Sequence, residues 1–522
     1  MDTQTPLWRD AEETDGAHRA ANALERILLA SVLIIALVFV YLSQTSTNLL
    51  DPASSSGRTI FIPVDPIGLN LAVTVVAIAL FRLLRIARPP EEFVNVSAVL
   101  CLSALAIGGI LWTFLVQATP SGDAAVFCSS AAELAEGKHT ALSNSNSFAY
   151  FFFASAPKRL GFLLYLETLM RMLGEEGTWV FAPVINVLLL VSGYGAVLRT
   201  TRLVFDDNRV SFLTLLLLCV CVQPLLACTE INGRIPALAF ALWGVYFAAR
   251  FLQDGRKHEI PLFVLFSAFA VLLNASAWFL VGAVAAVLLL QALRERAAKP
   301  LIAAAILVTL CLLLPAVVQA SFEARAGVSL GKGYSLSSRR AAGWNDNFDE
   351  EMYDAYGADF DRISQQSREE LAQMRDTWKA APIEAIQAYA LRFSGQWNEP
   401  TFGSIQAATA SESYGERALF VEQLGEGEDL YLSIVQALDY ELQIVYVGLA
   451  LSLLVFLRRH RVEQMIVPIA LLIFVVHRMR FGGYGLDVVT ALPILAPLAA
   501  HGILAFGVNT QPWFVQQNTR TK

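Results

Sequence analysis

Charge is scarce in this 522-residue chain: 16% of its residues are Asp, Glu, Lys or Arg, where a soluble domain carries about 25%. That shortage excludes an ordinary soluble fold, and 56% hydrophobic residues with a mean hydropathy of +0.53 stand in its place. Cysteine is sparse too, with six residues. Cys101, Cys219, Cys221 and Cys311 fall inside apolar runs as small fillers, and no spacing among the six suits a metal. For Cys128 and Cys228 an oxidised pair and two free thiols both stay open. No cleavable signal is expected, because a mixed-charge start with Arg9, Arg19 and Arg26 precedes the first apolar run without a small-residue cleavage site. There is no tandem repeat. The stretch GVSLGKGYS from Gly327 is one residue short of a phosphate loop, with Gly333 rather than Ser or Thr after Lys332. Excess positive charge is lacking as well: the net charge is -7, and the segment Ser321 to Ala437 carries nineteen acids against ten bases, which argues against a nucleic-acid partner.

What the chain does have is apolar runs near the length that crosses a ~30 Å hydrocarbon layer. They lie near residues 27–43, 67–84, 96–117, 179–199, 210–227, 235–252, 259–274, 276–293, 301–320, 441–457, 463–477 and 485–506. Too long for barrel strands and without period-two alternation, they predict an all-α integral membrane protein of about twelve spans. Basic residues gather at every second junction: Arg82, Arg85 and Arg88; Arg199, Arg202 and Arg209; Arg250, Arg256 and Lys257; Arg294, Arg296 and Lys299; Arg458, Arg459 and Arg461. Those junctions are expected to be cytoplasmic. The chain then divides into a cytoplasmic N-terminus (1–26), two leading spans (27–94), a membrane core (95–320) with an outer loop at 118–178, a large extracytoplasmic loop (321–437), C-terminal spans (438–507) with an outer turn at 477–485, and a cytoplasmic tail (508–522).

The outer segments carry their own patterns. In TPSGDAAVFCSSAAELAEG, residues 119–137, Ser121 is a candidate cap for a short interfacial helix with Phe127, Ala131 and Leu134 on one side and Gly137 as its stop. Residues 147–173 hold apolar runs broken by Pro157, Lys158, Arg159 and Gly161, which predicts an in-plane or re-entrant pair. Pro382 opens a predicted helix with Ile383, Ile386, Tyr389, Ala390 and Phe393 on one stripe, ahead of the turn QWNEPTFG. Asp123 suits either the first turn of a helix or chemistry at the surface. Arg478 and Arg480 are either interfacial anchors or phosphate ligands, and their presence in an outer turn opposes the positive-inside bias. Lys158 and Arg159 divide the same way. Glu230, Asn232 and Arg234, in TEINGRIP, are turn residues or a second acid that would hold a divalent cation or orient an acceptor. Trp344 and Trp397 are sugar-stacking platforms or membrane anchors.

The order of these motifs resembles the GT-C superfamily of polytopic glycosyltransferases: a span ending in outward P-S-G-D, then A-x-x-L-A-E-G, an aromatic stretch, P-K-R-L-G and L-x-R-M-L-G, then Asn186 in the next span, GQWNEPTFG, and HRMRFGGYG before a span with Pro493 and Pro497. The resemblance covers residues 96–506 and is to the protein mannosyltransferase and aminoarabinose transferase type; the two leading spans depart from it. It implies a GT-C-like arrangement and transfer of a sugar from a polyprenyl-phosphate carrier to an extracytoplasmic glycan, lipid or protein, with inversion. It also implies Asp123 as base and Arg480, Arg478, His477, Lys158 and Arg159 around the donor phosphate. Glu230, Asn232, Arg234, Trp344, Trp397 and Tyr484 are then candidates for the acceptor side or a second acid. The location would be the cell membrane. A polysaccharide polymerase or ligase using lipid diphosphate-linked chains, and a lipid-linked sugar flippase, are the competing functions; midplane polar groups and matching halves, which a transporter favours, are not seen.

Overall fold

A long apolar segment in lipid must satisfy its backbone internally, and a single helix does so. In the computed structural model, which describes residues 15–50, 59–62, 65–345, 347–425, 429–482 and 485–507, every one of the twelve apolar runs is helical. Among the described residues ten helices are long and apolar enough to cross a membrane, and an eleventh span arises if Asn208–Val220 and Gln223–Thr229, bent by 47°, count as one. The run at 259–274 becomes the fifteen-residue helix Glu259–Leu273, whose length of roughly 22 Å falls short of the hydrocarbon thickness.

The elements used below are α1 (Asp15–Thr45), strands β1 (Thr47–Leu50) and β2 (Thr59–Ile62), α2 (Ile67–Arg82), α3 (Glu91–Val116), α4 (Asp123–Ala135), α5 (Phe148–Ser155), α6 (Leu160–Phe205), α7 (Asn208–Val220), α8 (Arg234–Asp254), α9 (Glu259–Leu273), α10 (Trp278–Glu295), α11 (Ala298–Ala326), α12 (Leu336–Ala342), α13 (Phe348–Tyr356), α14 (Phe360–Ala380), α15 (Pro382–Trp397), α16 (Asp429–Arg458), α17 (Ile466–Phe481) and α18 (Leu492–Ala505). Helix α18 is the most enclosed, with 83% of its apolar window buried, while α2 and α3 bury only 11% and 22%. Leu71, Val75 and Leu80 on α2 and Val99, Ile107 and Leu111 on α3 stand exposed, as side chains that face lipid do. Arg82 at the end of α2 and Arg85 just beyond it reach to the last carbonyls of α18, with Arg85 Nε donating to Leu504 O at 2.7 Å and Arg82 Nε to Ile503 O at 3.1 Å. This satisfies helix-end acceptors and places positive charge at the negative pole.

The segment 147–173 forms the expected pair of helical pieces: α5 ends at Ser155, a 3-10 turn holds Pro157–Arg159, and the second piece begins at Leu160. That piece is broken from the following span at Gly174, where φ 74° and ψ 177° leave the helical region in a way only glycine accepts readily. One local outcome differs from the sequence expectation, the antiparallel hairpin of β1 and β2, pairing Thr47 with Ile62 and Leu50 with Thr59, in a chain expected to be all-α. The hairpin is anchored to the large loop, since Asn48 N donates to Asn398 O at 3.1 Å and Asn398 Nδ2 to Ser46 O at 2.7 Å.

Helices α16 and α18 approach at Gly448 and Gly502. A Cβ on Gly448 would sit 2.7 Å from Ala499 O, and one on Gly502 would strike the Gly448 carbonyl. Small residues let membrane helices meet backbone to backbone. Gly502→Ala should therefore destabilise the protein by about 1 to 3 kcal/mol through overpacking; thermal unfolding in detergent checks this, and an unchanged midpoint would refute the close approach.

Candidate functional site

The chain leaves α3 at Gln117 and is fixed to the segment after α15, with Thr119 N donating to Glu412 O at 2.8 Å. Ser121, the expected helix cap, instead shares a hydrogen bond with Ser411 Oγ at 3.0 Å, and no side chain caps α4. Gly122, at φ 54° and ψ -130°, makes the turn, so Asp123 is the first helical residue. Phe127, Ala131 and Leu134 bury one face of α4, as their spacing predicts, and this fixes Asp123 at the surface with its side chain 69% exposed.

The nearest cation is Arg159, whose Nη2 is 4.0 Å from Asp123 Oδ2 and 3.8 Å from Asp349 Oδ2 on α13. Arg159 is held firmly: Nη1 donates to Phe152 O at 2.9 Å and the guanidinium lies 3.8 Å from the Phe152 ring centre. Tyr334 N donates to Ser155 O at 2.7 Å and Asp349 faces Arg159, so the large loop docks on the Arg159 turn at two adjacent points, while Tyr334 Oη donates to Asp349 Oδ1 at 2.8 Å within the loop. Burial, then the Asp349 charge, pushes the Tyr334 phenol well above its usual range, so it stays a donor.

Below this rim lies a chain of ion pairs. Arg234 at the start of α8 binds Glu230 Oε2 at 2.9 Å through Nη1 and Asp487 Oδ1 at 2.7 Å through Nε, and Arg478 Nη1 binds the other oxygen of Asp487 at 2.5 Å. Gly233 allows the Glu230–Arg234 turn: at φ 73° it is left-handed, and a Cβ there would meet the Phe162 ring. Burial raises the Glu230 carboxyl above its usual range against the opposing pull of Arg234, with Asp487 and Asp123 adding to the rise. Asp123 and Arg234 are also within electrostatic reach of each other.

The cations gather on the same side. Lys158 is exposed, with Arg159, Arg339 and Arg478 as its charged neighbours, and His477 is exposed near Arg478 and Lys158. Arg339 arrives on α12, which packs against the end of α17 where Gly343 abuts the backbone of Phe481 and Gly482. Arg480 is exposed and, among the described residues, forms no ion pair; its guanidinium lies 5.9 Å from the Phe481 ring centre.

Of the residues picked from sequence, Asp123, Lys158, Arg159, Glu230, Arg234, His477 and Arg478 thus share one neighbourhood, and Arg480 follows on the same helix end. Arg478 is not a free phosphate ligand, because it is buried and committed to Asp487. Asn232 is a turn residue, its Oδ1 accepting from Arg234 N at 3.0 Å. Trp397 is no sugar platform: it is fully buried, stacked 4.7 Å from Phe39 and edge-on to Phe474 at 5.7 Å. Trp344 is partly buried, edge-on to Trp378 and Tyr389 at 5.0 Å each, with Arg392 at 4.0 Å over its ring. Tyr484 lies outside the described residues. All six cysteines are free thiols; Cys128 and Cys228 are both buried, and burial pushes Cys128 up to about 12.

Sequence reasoning missed Asp487, Asp349, Arg339 and Tyr334. Asp487 carried a signal, as a lone acid inside an apolar stretch shortly after two arginines. Asp349 stands in the acidic run DNFDEE and had none. Among the described residues no three His, Cys, Asp or Glu side chains converge as a metal cluster. The arrangement offers one exposed carboxylate beside several exposed cations, over a neutralised ionic floor: a proton acceptor next to an anion-binding surface. The chain matches no model of a known protein family and no curated protein.

Proposed function

We propose that this protein is a membrane glycosyltransferase that moves a sugar from a polyprenyl-phosphate carrier to an acceptor at the extracytoplasmic face of the cell membrane. Its spans would number twelve, the bent pair and α9 included, in a GT-C-like arrangement. The observation that carries the reading is the exposed Asp123 carboxylate 4.0 Å from Arg159, which in turn neighbours Lys158, with Arg339, Arg478 and His477 around that lysine.

In a single displacement the acceptor oxygen forms a bond to the anomeric carbon while the bond from that carbon to the phosphate oxygen breaks. Asp123 takes the acceptor's proton, and the electron pair leaves on the polyprenyl phosphate. The leaving group needs cations rather than a second acid, which distinguishes this site from a glycosidase with paired carboxylates. Arg480, Lys158 and Arg339 provide those groups, and the His477 imidazole offers a hydrogen bond. Arg478 instead holds Asp487 and thereby the end of α17. Inversion at the anomeric carbon follows from one displacement.

The test is transfer of radiolabelled sugar from a polyprenyl-phosphate donor by the purified protein. Arg480→Ala should raise the donor concentration needed for half-saturation about tenfold, the value of one charge-assisted contact at an exposed position. Its folding should be untouched, since the side chain has no buried contact to lose. Unchanged donor saturation would leave Arg480 as an interfacial anchor, and no transfer from any lipid-phosphate sugar would overturn the reading.

A further inference from the structure

The large loop carries a helix whose apolar side has no protein against it. On α15, Ile383, Ile386, Ala390 and Leu391 fall at i, i+3, i+7 and i+8, one stripe of a helix, and all four are exposed, Ile383 at 71%, Ile386 at 68% and Leu391 at 55%. The opposite side is taken: the Tyr389 ring stands 5.0 Å from Trp344 and 5.2 Å from Trp378, and Arg392 Nη2 donates to Gly343 O. The neighbouring α14 shows the reverse pattern, with Arg362, Glu369, Arg375, Asp376 and Lys379 exposed. A charged side of that kind suits water, and the side presented by α15 does not.

The buried end of α15 fixes what covers the rest. Its last residue, Trp397, stacks on Phe39 of α1 at 4.7 Å, meets Phe474 of α17 edge-on at 5.7 Å and accepts at its carbonyl from Tyr446 Oη of α16 at 2.6 Å. These contacts lie inside the apolar runs 27–43, 463–477 and 441–457: Phe39 is four residues from the end at 43, Phe474 three from 477 and Tyr446 five from 441. At about 1.5 Å per residue, Trp397 therefore sits roughly 5 to 8 Å below the membrane boundary, as measured on three separate helices. Leu391 comes six residues before it, about 9 Å along the helix, and so stands at that boundary even if α15 climbs straight out. Ile386 and Ile383 follow at about 16 and 21 Å, and a helix that leans on the surface holds them in the headgroup layer, the depth at which amphipathic helices bury their apolar side. Next to Phe39, α1 already turns Val38 and Tyr41 outward, and next to Phe474, α17 exposes Val476. The stripe on α15 thus continues a surface that lipid covers.

We propose that α15 lies against the leaflet on the loop side, with Ile383, Ile386, Ala390 and Leu391 seated among phospholipid acyl chains and headgroups. The bilayer is then a second support for the large loop, besides the spans at its two ends. Because Tyr389 and Arg392 tie α15 to Trp344 and Gly343 at the end of α12, the lipid contact also sets where α12 stands, and Arg339 with it. Nothing in this seat depends on the transfer reading, so either can fail without the other.

The experiment uses the full-length protein in phosphatidylcholine vesicles. Ile386→Cys, Ile383→Cys and, on the charged side of α14, Arg375→Cys each carry a polarity-sensitive fluorophore, with labelled wild type as the background from the six native thiols. All three replaced side chains are exposed and have no packing to lose. Expected for Ile386→Cys and Ile383→Cys are a blue-shifted emission, protection from aqueous iodide, and loss of most of the emission when the lipid is brominated on its acyl chains. Arg375→Cys should be quenched by iodide and keep its emission in brominated lipid. Iodide quenching of the two α15 variants equal to that of Arg375→Cys would overturn the proposal, because the stripe would then stand in water. Protection from iodide with no loss in brominated lipid would overturn it as well, since another protein surface, such as a second copy, would then cover the stripe.

Discussion

Asp123→Asn should lower sugar transfer by about 100-fold or more while expression and donor binding stay near wild type. Asparagine keeps the size of the side chain and its hydrogen-bonding capacity but cannot accept the acceptor's proton. The structure sharpens the test, because Asp123 bears little structural burden. Its side chain is 69% exposed, and its one ion-pair neighbour, Arg159, is held independently by Phe152 O and the Phe152 ring. Neutralising a carboxylate at the first turn of a helix costs about 0.3 to 1 kcal/mol at most, so α4 and the Arg159 turn should survive the change. Transfer and donor affinity measured side by side on the purified variant separate the roles. Near wild-type transfer would remove the base from the proposed mechanism, and with it the main reason for reading an enzyme.

The membrane character was legible because it is written in runs of many residues. Each apolar run is a helix, and the lipid-facing side chains of α2 and α3 are the price of having few partners. The buried stripe of α4 was legible for the same reason: a 3.6-residue period repeated over several turns. What depends on one residue was not. The hairpin rests on two four-residue strands, too short to show a period. The stripe proposed on α15 is only partly real, since Ile383 and Ile386 are exposed; the buried part of that helix is its far end, at Ser394, Gln396 and Trp397. At the site, the acids and bases were visible, but not their partners. Arg478 and Arg480 look equivalent in HRMRFGGYG, yet a two-residue step on a helix turns them apart, one toward Asp487 and one toward the surface. Nothing local to α17 says that an acid on the next segment will claim the first of them.

That claim has a measurable consequence. Asp487 sits between two guanidiniums, 2.7 Å from Arg234 and 2.5 Å from Arg478, and all three side chains are no more than 19% exposed. Removing the charge with Asp487→Asn leaves Arg478 buried with no carboxylate in contact and Arg234 with Glu230 alone. Losing one partner of a buried ionic network costs on the order of 3 kcal/mol, because the remaining charge has lost its solvent and gains nothing in return. Asp487→Asn should therefore lower the melting midpoint well below that of Asp123→Asn and reduce transfer as the end of α17 loosens. The double variant Arg478→Met with Asp487→Leu removes the network's inner pair together and should recover much of the stability, because apolar groups of similar volume replace charges that had to be desolvated. Transfer should stay low in that double variant, since Arg234 loses its orienting contact and the cations at the end of α17 lose theirs. A melting midpoint for Asp487→Asn equal to wild type would show that the ionic floor does not hold the site together, and full transfer in the double variant would show that the site does not need it.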